Sequence, residues 1–469
     1  MSTAIWWVRR DLRLDNNPTL RRAVETGLFV QPVFILDPAL LNDDAPPRQS
    51  FLMEGLAALN ALLHQRGSYL LLRHGEPIQQ LALLARELEA SIIFAEEDYT
   101  PYARRRDAVA TQNLPIQWVT GLTALHPASV VKADGSPYTV FTPFMKAWKS
   151  MPSSLTGEWK APAKLAGPAL IESHPIPSFK KNTIFPATQP EAEKRLERFI
   201  DDGLFSYAES RDRLDLDGTS SLSPYLRFGL ISIRQLFAAA EQAKQQAPDS
   251  AATKSAETWM NELIWREFYQ SILYHFPFVT YSAFNPRFRA IPWRDAPQDL
   301  LAWQQGRTGF PVVDAAMRQL STIGWVHNRA RMIAASFLAK DLLINWQEGE
   351  RWFFNHLVDA DIAANNGGWQ WTAGVGTDAA PYFRVFNPTL QGIKFDPEGN
   401  YIRRWVPELA NLPTKLIHQP ELMTALEETR FNVRLGRDYP RPIIDRSQTR
   451  ERTLNAYQLS KDGFTQPYS

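Results

Sequence analysis

The chain is 469 residues long, 44% hydrophobic and 22% charged, which indicates a folded protein with room for two or three domains and not a disordered chain. Its formal net charge of +1 gives no global positive field, so any nucleic-acid-binding surface has to be local. Because the chain has no cysteine, disulfides, thiolate zinc sites, iron–sulfur clusters and cysteine nucleophiles are excluded.

Residues 1–131 alternate short apolar runs with helical patterns, which is typical of an α/β layer built on a parallel sheet. A helix is expected between Pro18 and Gly27, and a leucine stripe starting at Leu52 predicts another that stops near Gly67. After the first predicted strand the sequence is RRD instead of GxGxxG, so a dinucleotide-binding loop is not expected. The predicted strands are Ala4–Val8, Val30–Leu36, Tyr69–Arg73, Ser91–Ala95 and Ile116–Val119.

Residues 132–190 are rich in Pro, Ser and Lys, which indicates a long connector between domains. Beyond it the alternating runs give way to helical periods, as in Ala256–Tyr274 and Arg329–Leu343. The predicted organisation is a doubly wound α/β domain at residues 1–131, a linker at 132–190 and an all-helical domain at 191–469.

The predicted helix WMNELIWREFY, which starts at Trp259, carries a mixed polar and aromatic face. A face that packs into a core would be aliphatic. This one therefore indicates either a half-exposed helix with an Arg–Glu pair or the wall of a cleft that stacks and hydrogen-bonds a flat polar ligand. The residues on that face, at i, i+3, i+4 and i+7, are Glu262, Trp265, Arg266 and Tyr269.

Two further segments, GWVHNRARMI at 324–333 and LVDADIAANNGGWQW at 357–371, place polar residues among apolar ones. Since buried charges are rarely unpaired, we expect Arg331 to pair with Asp359 or Asp361. A structural ion pair and a ligand site are equally good interpretations of that pair. Two carboxylates so close also suggest a nuclease metal site, but no further acid or histidine clusters nearby, so no metal site is predicted.

The segment GTSSLSPYLRFG at 218–229 is a hydroxyl-rich loop that leads into a helix. Its backbone amides and hydroxyls suit a phosphate group, and capping of the helix by Ser221 or Ser223 is the alternative. The chain contains no Ser/His/Asp order, HExxH or P-loop motif. Side-chain nucleophilic chemistry is therefore not expected, and a bound cofactor should carry the reaction.

The stretch NNGGWQW at 365–371 places one residue between two tryptophans. Its glycines allow the backbone to approach another group closely. On an extended strand the two indoles would point the same way, whereas on a helix they would diverge by about 200°. Tryptophan is concentrated in this half of the chain, because ten of the 15 lie between Trp259 and Trp405.

Together these segments resemble the DNA photolyase/cryptochrome family, and they look most like the class I cyclobutane pyrimidine dimer photolyases of bacteria. The likeness runs in matching order from Trp6 to Tyr439, so chance is a poor explanation. The motifs that carry it are WWVRRDLRLDNNPTL, VFTPFMKAW, GTSSLSPYLRFG, NELIWREFY, TGFPVVDAAMRQL, GWVHNRARMI, FLAKDLLINW and NNGGWQWTAGVGTDAAPYFRVFNP.

The resemblance implies a light-driven DNA repair enzyme, a carbon–carbon lyase with one catalytic FAD in the helical domain. Reduced, anionic flavin would absorb blue light and pass an electron to the dimer, the cyclobutane ring would split, and the electron would return. The positions that match the family's flavin contacts are Tyr207, Thr219, Ser220, Ser221, Leu222, Ser223, Trp259, Glu262, Arg266, Asn328, Arg331, Asp359, Ala360, Asp361 and Asn365.

The resemblance also assigns different partners to the two tryptophans of NNGGWQW. By its match, Trp369 lies against the flavin and begins an electron-transfer chain through Trp346 to Trp293 near the surface. Trp371 matches the residue that, with Trp265, holds the flipped-out dimer of UV-damaged DNA. The positions that match DNA or lesion contacts are Arg211, Glu262, Trp265, Tyr269, Asn328, Arg331, Met332, Trp371 and Gln391.

An antenna chromophore in the N-terminal domain is a further implication of the resemblance, with Arg48, Asp98 and Ala103 at the matching positions. Folate-type members carry Glu near Ala103, and that Glu is missing here. Deazaflavin-type members have a similar sequence but usually carry Gly there. The sequence therefore favours deazaflavin, and methenyltetrahydrofolate, FMN or an empty site are the alternatives.

Single residues separate the subfamilies. Six-four photolyases carry histidines at the places of Asn328 and Met332, plant cryptochromes carry Asp at the place of Asn365, and single-strand-preferring relatives change Trp371. The alternative function is a cryptochrome-like blue-light receptor without repair activity. A dark-acting helical flavoprotein oxidoreductase is disfavoured because a nicotinamide-binding motif is missing.

No signal-peptide pattern or apolar run of ~18 residues is present, so we expect a cytoplasmic protein without a membrane partner. The resemblance implies that the protein is bacterial. The resemblance implies that it associates with the nucleoid when it binds DNA. It also implies a monomer that needs no obligate protein partner.

Overall fold

The computed structural model describes residues 2–41, 46–151, 158–165, 167–168 and 170–464. Residues 1 and 42–45, parts of the predicted linker (152–157, 166 and 169) and the end of the predicted helical domain (465–469) lie outside the described residues. Contacts within the chain divide it into two compact units. The first unit comprises Met1–Ala208, Thr219–Pro277 and Val358–Ala363, and the second comprises Glu209–Gly218, Phe278–Leu357 and Ala364–Ser469. The domain boundaries predicted at residues 131 and 190 stay predictions.

A five-stranded parallel sheet lies in the first unit. Its strands are β1 Thr3–Trp7, β2 Phe29–Leu36, β3 Leu71–His74, β4 Ala90–Glu96 and β5 Ile116–Val119. They pair in the order β3-β2-β1-β4-β5. All five predicted strands are confirmed to within two residues at each end. The α/β fold class predicted for this part of the chain is therefore confirmed.

Helices connect the strands in the way that a parallel sheet requires. They are α1 Pro18–Glu25, α2 Pro46–Gln65, α3 Pro77–Glu87 and α4 Pro101–Asn113. Leu81 and Leu84 of α3 pack in one buried cluster with Ile5 and Val33 of the sheet. Strand order reverses beside β1, so the loop after β1 stands at the switch point where open α/β sheets usually bind ligands.

In the remaining described chain the regular elements are helices, joined by loops and two isolated β-bridges, which confirms the predicted helical domain. Helix α10 starts six residues before the predicted Ala256, where the Asp249 side chain accepts a hydrogen bond from the backbone of Ala252 and caps the helix. The helices are α5 Phe141–Ser150, α6 Gln189–Asp202, α7 Tyr207–Ser210, α8 Ser223–Phe228, α9 Ile233–Gln246, α10 Ser250–His275, α11 Pro297–Gln304, α12 Pro311–Ile323, α13 Asn328–Ser336, α14 Trp346–His356, α15 Ile362–Ala373, α16 Pro388–Phe395, α17 Asn400–Trp405, α18 Thr414–Ile417, α19 Ala425–Phe431 and α20 Arg446–Asp462.

The segment predicted as one helix, Arg329–Leu343, consists of α13 followed by a π-helix at Phe337–Asp341. Two arginines of α20 hold the end of the π-helix. Arg446 donates to the Asp341 carboxylate at 3.0 Å, and Arg452 donates to the Asp341 carbonyl at 2.7 Å. Among the described residues, no helix is both long and apolar enough to cross a bilayer.

Candidate functional site

The loop after β1 is organised around a buried carboxylate. Asp11 accepts hydrogen bonds from the indole of Trp6 at 2.9 Å, the backbone of Arg9 at 2.8 Å and the side chain of Asn17 at 3.2 Å. Asp11 is fully buried. The loop thus folds around its own Asp11 side chain and does not form the glycine-rich turn of a GxGxxG motif.

The same loop packs on the end of α8. The backbone of Leu12 donates to the carbonyl of Phe228 at 3.1 Å, and the guanidinium of Arg13 donates to the carbonyl of Gly229 at 2.9 Å. Gly229 has φ +66°, and a Cβ at this position would overlap the carbonyl of Arg10. Only glycine fits this close approach, and the contact fixes α8 and the hydroxyl-rich loop before it.

The hydroxyl-rich loop does not cap α8 with either predicted serine. The N-cap residue is Leu222, whose side chain has no polar atom. Ser223 instead donates its hydroxyl to the Asp359 carboxylate at 2.6 Å, and Ser221 has φ +50° with its Oγ 3.5 Å from that of Thr219. The capping interpretation is therefore wrong, and no serine side chain at the N-cap competes for the first backbone amides of α8.

The Asp359–Asp361 segment is held from three directions inside the first unit. Arg10 forms an ion pair with Asp361, and Gln270 of α10 donates to Asp361 at 3.0 Å. Arg227 of α8 donates to the carbonyl of Ala360 at 2.6 Å. Removing one partner of such a buried pair typically costs about 3–5 kcal/mol, so these contacts fix the segment firmly.

The charge of Asp361 is secured by arginines. Burial alone would raise the pKa of Asp361, but the guanidinium groups of Arg10, Arg227 and Arg266 hold that pKa well below its usual range. A carboxyl whose pKa is lowered on folding stabilises the fold above its unfolded pKa, and that stability is lost as the pH falls towards the folded pKa. Asp361 is therefore ionised throughout the neutral and weakly acidic range.

Two predicted flavin contacts share an aromatic cluster in the first unit. The ring of Phe199 lies 5.1 Å from that of Trp259 and 5.7 Å from that of Tyr207 between centroids. Both Trp259 and Tyr207 are buried. This cluster fixes the orientation of the two side chains that the sequence proposed for cofactor contact.

The mixed face of α10 is half-buried, and an aromatic residue of α5 covers part of it. Phe141 stacks on Trp265 with the ring planes 5° apart and the centroids 3.7 Å apart. The ring of Tyr269 lies 5.6 Å from that of Trp265 between centroids and is tilted by 35°. Phe141 therefore pre-orients Trp265, a role that the sequence had not assigned although VFTPFMKAW was among its motifs.

On the mixed face of α10, Arg266 forms an ion pair with the residue that follows it in sequence. Arg266 lies 3.3 Å from the Glu267 carboxylate, which also accepts a hydrogen bond from the backbone of Ala124 at 3.0 Å. Burial raises the pKa of Glu267 to about 7, against the opposing effect of Arg266. Glu262 is half-buried on the same helix.

Within the described part of the chain, no group of three or more His, Asp or Glu side chains could hold a metal ion.

The three predicted antenna residues all lie in the first unit. Asp98 lies 3.8 Å from Arg10; burial raises the Asp98 pKa, but the charges of Arg10 and Arg9 outweigh it and lower the pKa overall. Burial lowers the pKa of Arg48 to about 10. Ala103 is buried in the first turn of α4. Assignment of these residues to an antenna chromophore stays a prediction.

In the second unit, Asn365 is oriented by the helix that precedes it. Its Nδ2 donates to the carbonyl of Glu350 at 3.0 Å, which leaves its Oδ1 as the acceptor end of the amide. The next residue, Asn366, donates to the Glu350 carboxylate at 2.9 Å. Burial raises the pKa of Glu350 to about 7 despite this hydrogen bond.

Helix α15 leaves room beside Asn365 for a flat group. Gly368 lies one turn further along the same face, and a Cβ there would meet no described atom within 4 Å. The open space next to an oriented amide fits a flavin ring, whose edge offers both hydrogen-bond donors and acceptors. The residues of this unit therefore fit the cofactor that the sequence predicted.

The two tryptophans of α15 diverge because the segment is helical. Trp369 is buried, with the ring of Phe353 at 5.2 Å and that of Trp303 at 6.1 Å, both edge-on. Trp371 is half-buried. The structure thus places the two indoles in different surroundings, as the assignment of different partners requires.

Burial decreases along the predicted electron-transfer chain. Trp369 and Trp346 are each 3% exposed, whereas Trp293 is partly exposed and lies edge-on to Tyr457 at 6.1 Å. A chain that ends at a partly exposed indole can exchange an electron with a donor in solution. The chain itself stays a prediction.

Several predicted DNA contacts lie on exposed or half-buried positions of the second unit. Asn328 is exposed at the start of α13, with its Nδ2 3.7 Å from the sulfur of Met332. Arg331 donates to the carbonyl of Val326 at 2.7 Å, which fixes its stem. The other predicted DNA contacts of this unit, Arg211, Trp371 and Gln391, are half-buried.

The residues that hold these groups in place were not predictable from the sequence. Arg10 and Arg227 fix the Asp359–Asp361 segment, and Glu350 fixes the amide of Asn365. The only sequence feature that pointed to one of them, Arg10, was the charged RRD triplet at the place of a glycine-rich loop. Arg10 and Asp361 are 351 residues apart, so no local spacing could pair them.

Comparison with known proteins identifies two family profiles in the chain. The profile described as DNA photolyase matches residues 4–164, and that described as FAD binding domain of DNA photolyase matches residues 259–459. The two profiles cover the sheet from Ala4 onwards and the predicted site residues from Trp259 onwards, whereas Tyr207, Arg211 and residues 219–223 lie between the two profiles.

Individual relatives match nearly the whole chain. The deoxyribodipyrimidine photo-lyase of Salmonella typhimurium is 39% identical, over 99% of this chain and all of the relative. A bacterial class III photolyase from Agrobacterium tumefaciens has a similar solved structure, with TM-score 0.93, 37% identity and 98% of each chain covered. A Synechocystis cryptochrome is also similar, with TM-score 0.87, 30% identity, and 97% of this chain and 99% of that chain covered.

Proposed function

Because the chain belongs to the DNA photolyase family, we propose that it is a deoxyribodipyrimidine photo-lyase, a light-dependent enzyme that splits cyclobutane pyrimidine dimers in DNA. The observation that carries this proposal is helix α15. On this helix an oriented amide at Asn365, open space at Gly368 and a buried indole at Trp369 follow within two turns. That arrangement suits a flavin that takes up electrons through tryptophan.

When bound, FAD in its reduced anionic form would supply the light-driven electron transfer by which the cyclobutane ring is opened. In the first unit, the hydroxyls and amides of Thr219–Ser223 suit the cofactor phosphates, and the fixed Asp359–Asp361 segment presents carboxylate and backbone groups. The other cofactor residues that we propose for this unit are Tyr207, Trp259, Glu262 and Arg266.

In the second unit, we assign the cofactor-binding roles to Asn328, Arg331 and Asn365. The Nδ2 of Asn365 donates a hydrogen bond to the carbonyl of Glu350, so the Oδ1 of Asn365 can accept a hydrogen bond from a donor at the flavin edge. Trp369, Trp346 and Trp293 then carry electrons towards the flavin, and the partly exposed Trp293 exchanges with donors in solution.

Damaged DNA is the partner that the lesion-contact residues suit. In the first unit, the indole of Trp265, backed by Phe141, offers one fixed aromatic face, and Glu262 and Tyr269 lie on the same helix. Aromatic faces accept extruded bases of any sequence, and a poorly stacked dimer is easier to extrude than an intact pair. The residues that we propose to contact DNA from the second unit are Arg211, Asn328, Arg331, Met332, Trp371 and Gln391.

A blue-light receptor without repair activity is the alternative. The similarity to the Synechocystis cryptochrome, at 30% identity, is lower than the 39% shared with the Salmonella photo-lyase. Asn365 and Trp371 also match the repair enzymes and not the receptors that differ at these positions. Repair is therefore the function that the chain supports best.

A repair assay tests the proposal directly. We expect the purified, reduced protein to remove thymine dimers from an oligonucleotide under blue light and to leave them intact in the dark. Dimers are counted by chromatography after illumination, and illuminated oligonucleotide without protein is the control. A protein that holds reduced FAD and binds the oligonucleotide yet leaves all dimers intact would support the receptor alternative.

Asn365→Asp is expected to change which redox state of the flavin survives in air. In the unmodified protein the amide of Asn365 donates a hydrogen bond to the carbonyl of Glu350. A carboxylate at position 365 would instead place a second acceptor beside that carbonyl and add a titratable charge. The absorption spectrum and the rate of air oxidation measure the change.

The matched control is Asn113→Asp in α4, where an exposed amide donates to the carbonyl of Val109 at 2.8 Å. It should leave the spectrum and the oxidation rate unchanged. Identical oxidation kinetics in Asn365→Asp and the unmodified enzyme would contradict the assignment of Asn365.

The remaining assignments follow from family membership. We propose that the protein works as a monomer in the cytoplasm, at the nucleoid when bound to DNA. Arg48, Asp98 and Ala103 mark an antenna site, with deazaflavin favoured over methenyltetrahydrofolate. We keep the class I assignment as a proposal, since the similar Agrobacterium structure is a class III photolyase.

A further inference from the structure

A glycine of α14 lies directly against the indole of Trp369. A Cβ built on Gly349 would overlap Cη2 of Trp369, and it would lie 2.6 Å from Cζ3 of that indole and 2.5 Å from Cδ2 of Leu338. Carbon atoms in contact are normally ~3.5–4.0 Å apart. The indole therefore occupies space that any other residue at position 349 would need for its side chain.

This glycine is not explained by backbone conformation. Gly349 lies inside α14 and is absent from the residues with positive φ in the described chain. Glycine is an unfavourable residue in a helix interior, because it loses more conformational freedom than alanine. Glycine is required at position 349 because the indole of Trp369 occupies the space of a side chain.

The same helix carries the next member of the proposed electron-transfer chain. Trp346 is the first residue of α14, and Gly349 lies three residues later, on a neighbouring position of the helix surface. The benzene edge of Trp369 thus rests on α14 one turn from Trp346. The edge-on rings of Phe353 and Trp303 limit its movement elsewhere.

We propose that Gly349 is a positioning residue for electron transfer: its bare backbone seats the benzene edge of Trp369 and so sets the separation between the indoles of Trp369 and Trp346. This inference rests on the proposed function, in which these two tryptophans exchange electrons. A methyl group at position 349 pushes the indole of Trp369 off α14 and lengthens the hop.

The test compares Gly349→Ala holoenzyme with unmodified holoenzyme in two assays. Photoreduction of bound FAD should slow severalfold, because it needs the hop from Trp346 to Trp369. Repair of a thymine-dimer oligonucleotide by enzyme reduced chemically with dithionite should be unchanged, because it bypasses the hop. FAD occupancy and Tm are measured on the same samples.

Two further variants make each outcome decisive. In Gly167→Ala a new Cβ would lie 3.7 Å from its nearest neighbours, Ser68 Oγ and the carbonyl of Val30, so this control should photoreduce normally. In Trp369→Phe the ring lacks Cη2 and Cζ3, so adding Gly349→Ala should lower Tm by less than it does beside tryptophan, because only the overlap with Leu338 Cδ2 remains. If Gly349→Ala alone loses FAD, the proposal is tested by this comparison of Tm with and without the tryptophan.

Normal photoreduction in Gly349→Ala would overturn the inference. So would a loss of Tm from Gly349→Ala that is as large beside phenylalanine at position 369 as beside tryptophan. Failure of the proposed function looks different. In that case Trp369→Phe by itself would photoreduce at the unmodified rate, whatever Gly349→Ala does.

Discussion

Trp369→Phe is expected to remove most light-driven reduction of bound FAD and to leave repair by chemically reduced enzyme intact. A phenyl ring is far harder to oxidise than an indole, so it breaks an electron-transfer chain that passes through position 369. It still fills much of the buried space beside Phe353 and Trp303. The loss of stability should therefore be smaller than the ~3–5 kcal/mol typical of truncating a buried tryptophan to alanine. Photoreduction rate, FAD occupancy and dimer repair are measured on one preparation.

Trp303→Phe is the matched control for this prediction. Trp303 is as buried as Trp369 and lies edge-on to it at 6.1 Å, but it stands outside the proposed chain. Its indole donates to the carbonyl of Ala334 at 3.0 Å, so the variant should lose some stability through that hydrogen bond. It should nevertheless photoreduce at close to the unmodified rate. Equal slowing in both variants would show that packing, and not the route of the electron, is what matters.

The centre of the sheet could be predicted from the sequence because β1 and β2 are buried on both faces. Every residue of β1 is buried, and such strands appear in sequence as unbroken apolar runs between turn residues. Helix ends were harder to predict. The first turn of α10, SAATKS, has no apolar stripe, and the Asp249 cap that starts it belongs to a polar stretch.

Helix α15 shows where local sequence stops being informative. Asparagine and glycine both favour loops over helices, so NNGGWQW allowed an extended or a helical segment. The structure decides for the helix through contacts that are distant in sequence. Asn366 donates to the carbonyl of Val279, and Gln370 donates to the same carbonyl, across 87 and 91 residues.

Residue types and family likeness predict that Asp361 and Asn365 contact a ligand, because ligand contacts need particular functional groups. The residues that hold these two side chains in place were not predicted. Their supports, Arg10 and Glu350, are joined to them by the fold and could have been many other donors or acceptors. A single sequence contains no signal for such pairs.

Trp371→Ala is expected to weaken binding of damaged DNA and to leave photoreduction nearly unchanged. The helix turns Trp371 about 200° away from Trp369, and Trp371 is half-buried where Trp369 is buried. Loss of one base–aromatic stack removes ~1–3 kcal/mol. At 1.4 kcal/mol per tenfold, the Kd for a duplex with one thymine dimer should rise roughly five- to 150-fold. Fluorescence anisotropy of the labelled duplex measures it.

Trp371→Phe separates stacking from packing at the same position. If the indole stacks on the lesion, a phenyl ring retains part of the aromatic face, and the Kd should fall between those of the alanine variant and the unmodified enzyme. Affinity for the undamaged duplex should hardly change in either variant, because an intact pair stays in the helix. If both tryptophans of α15 were simply core residues, Trp371→Ala and Trp369→Phe would lose stability and FAD together. Opposite patterns, with lesion binding lost in one and photoreduction lost in the other, can arise only if the two indoles serve different partners.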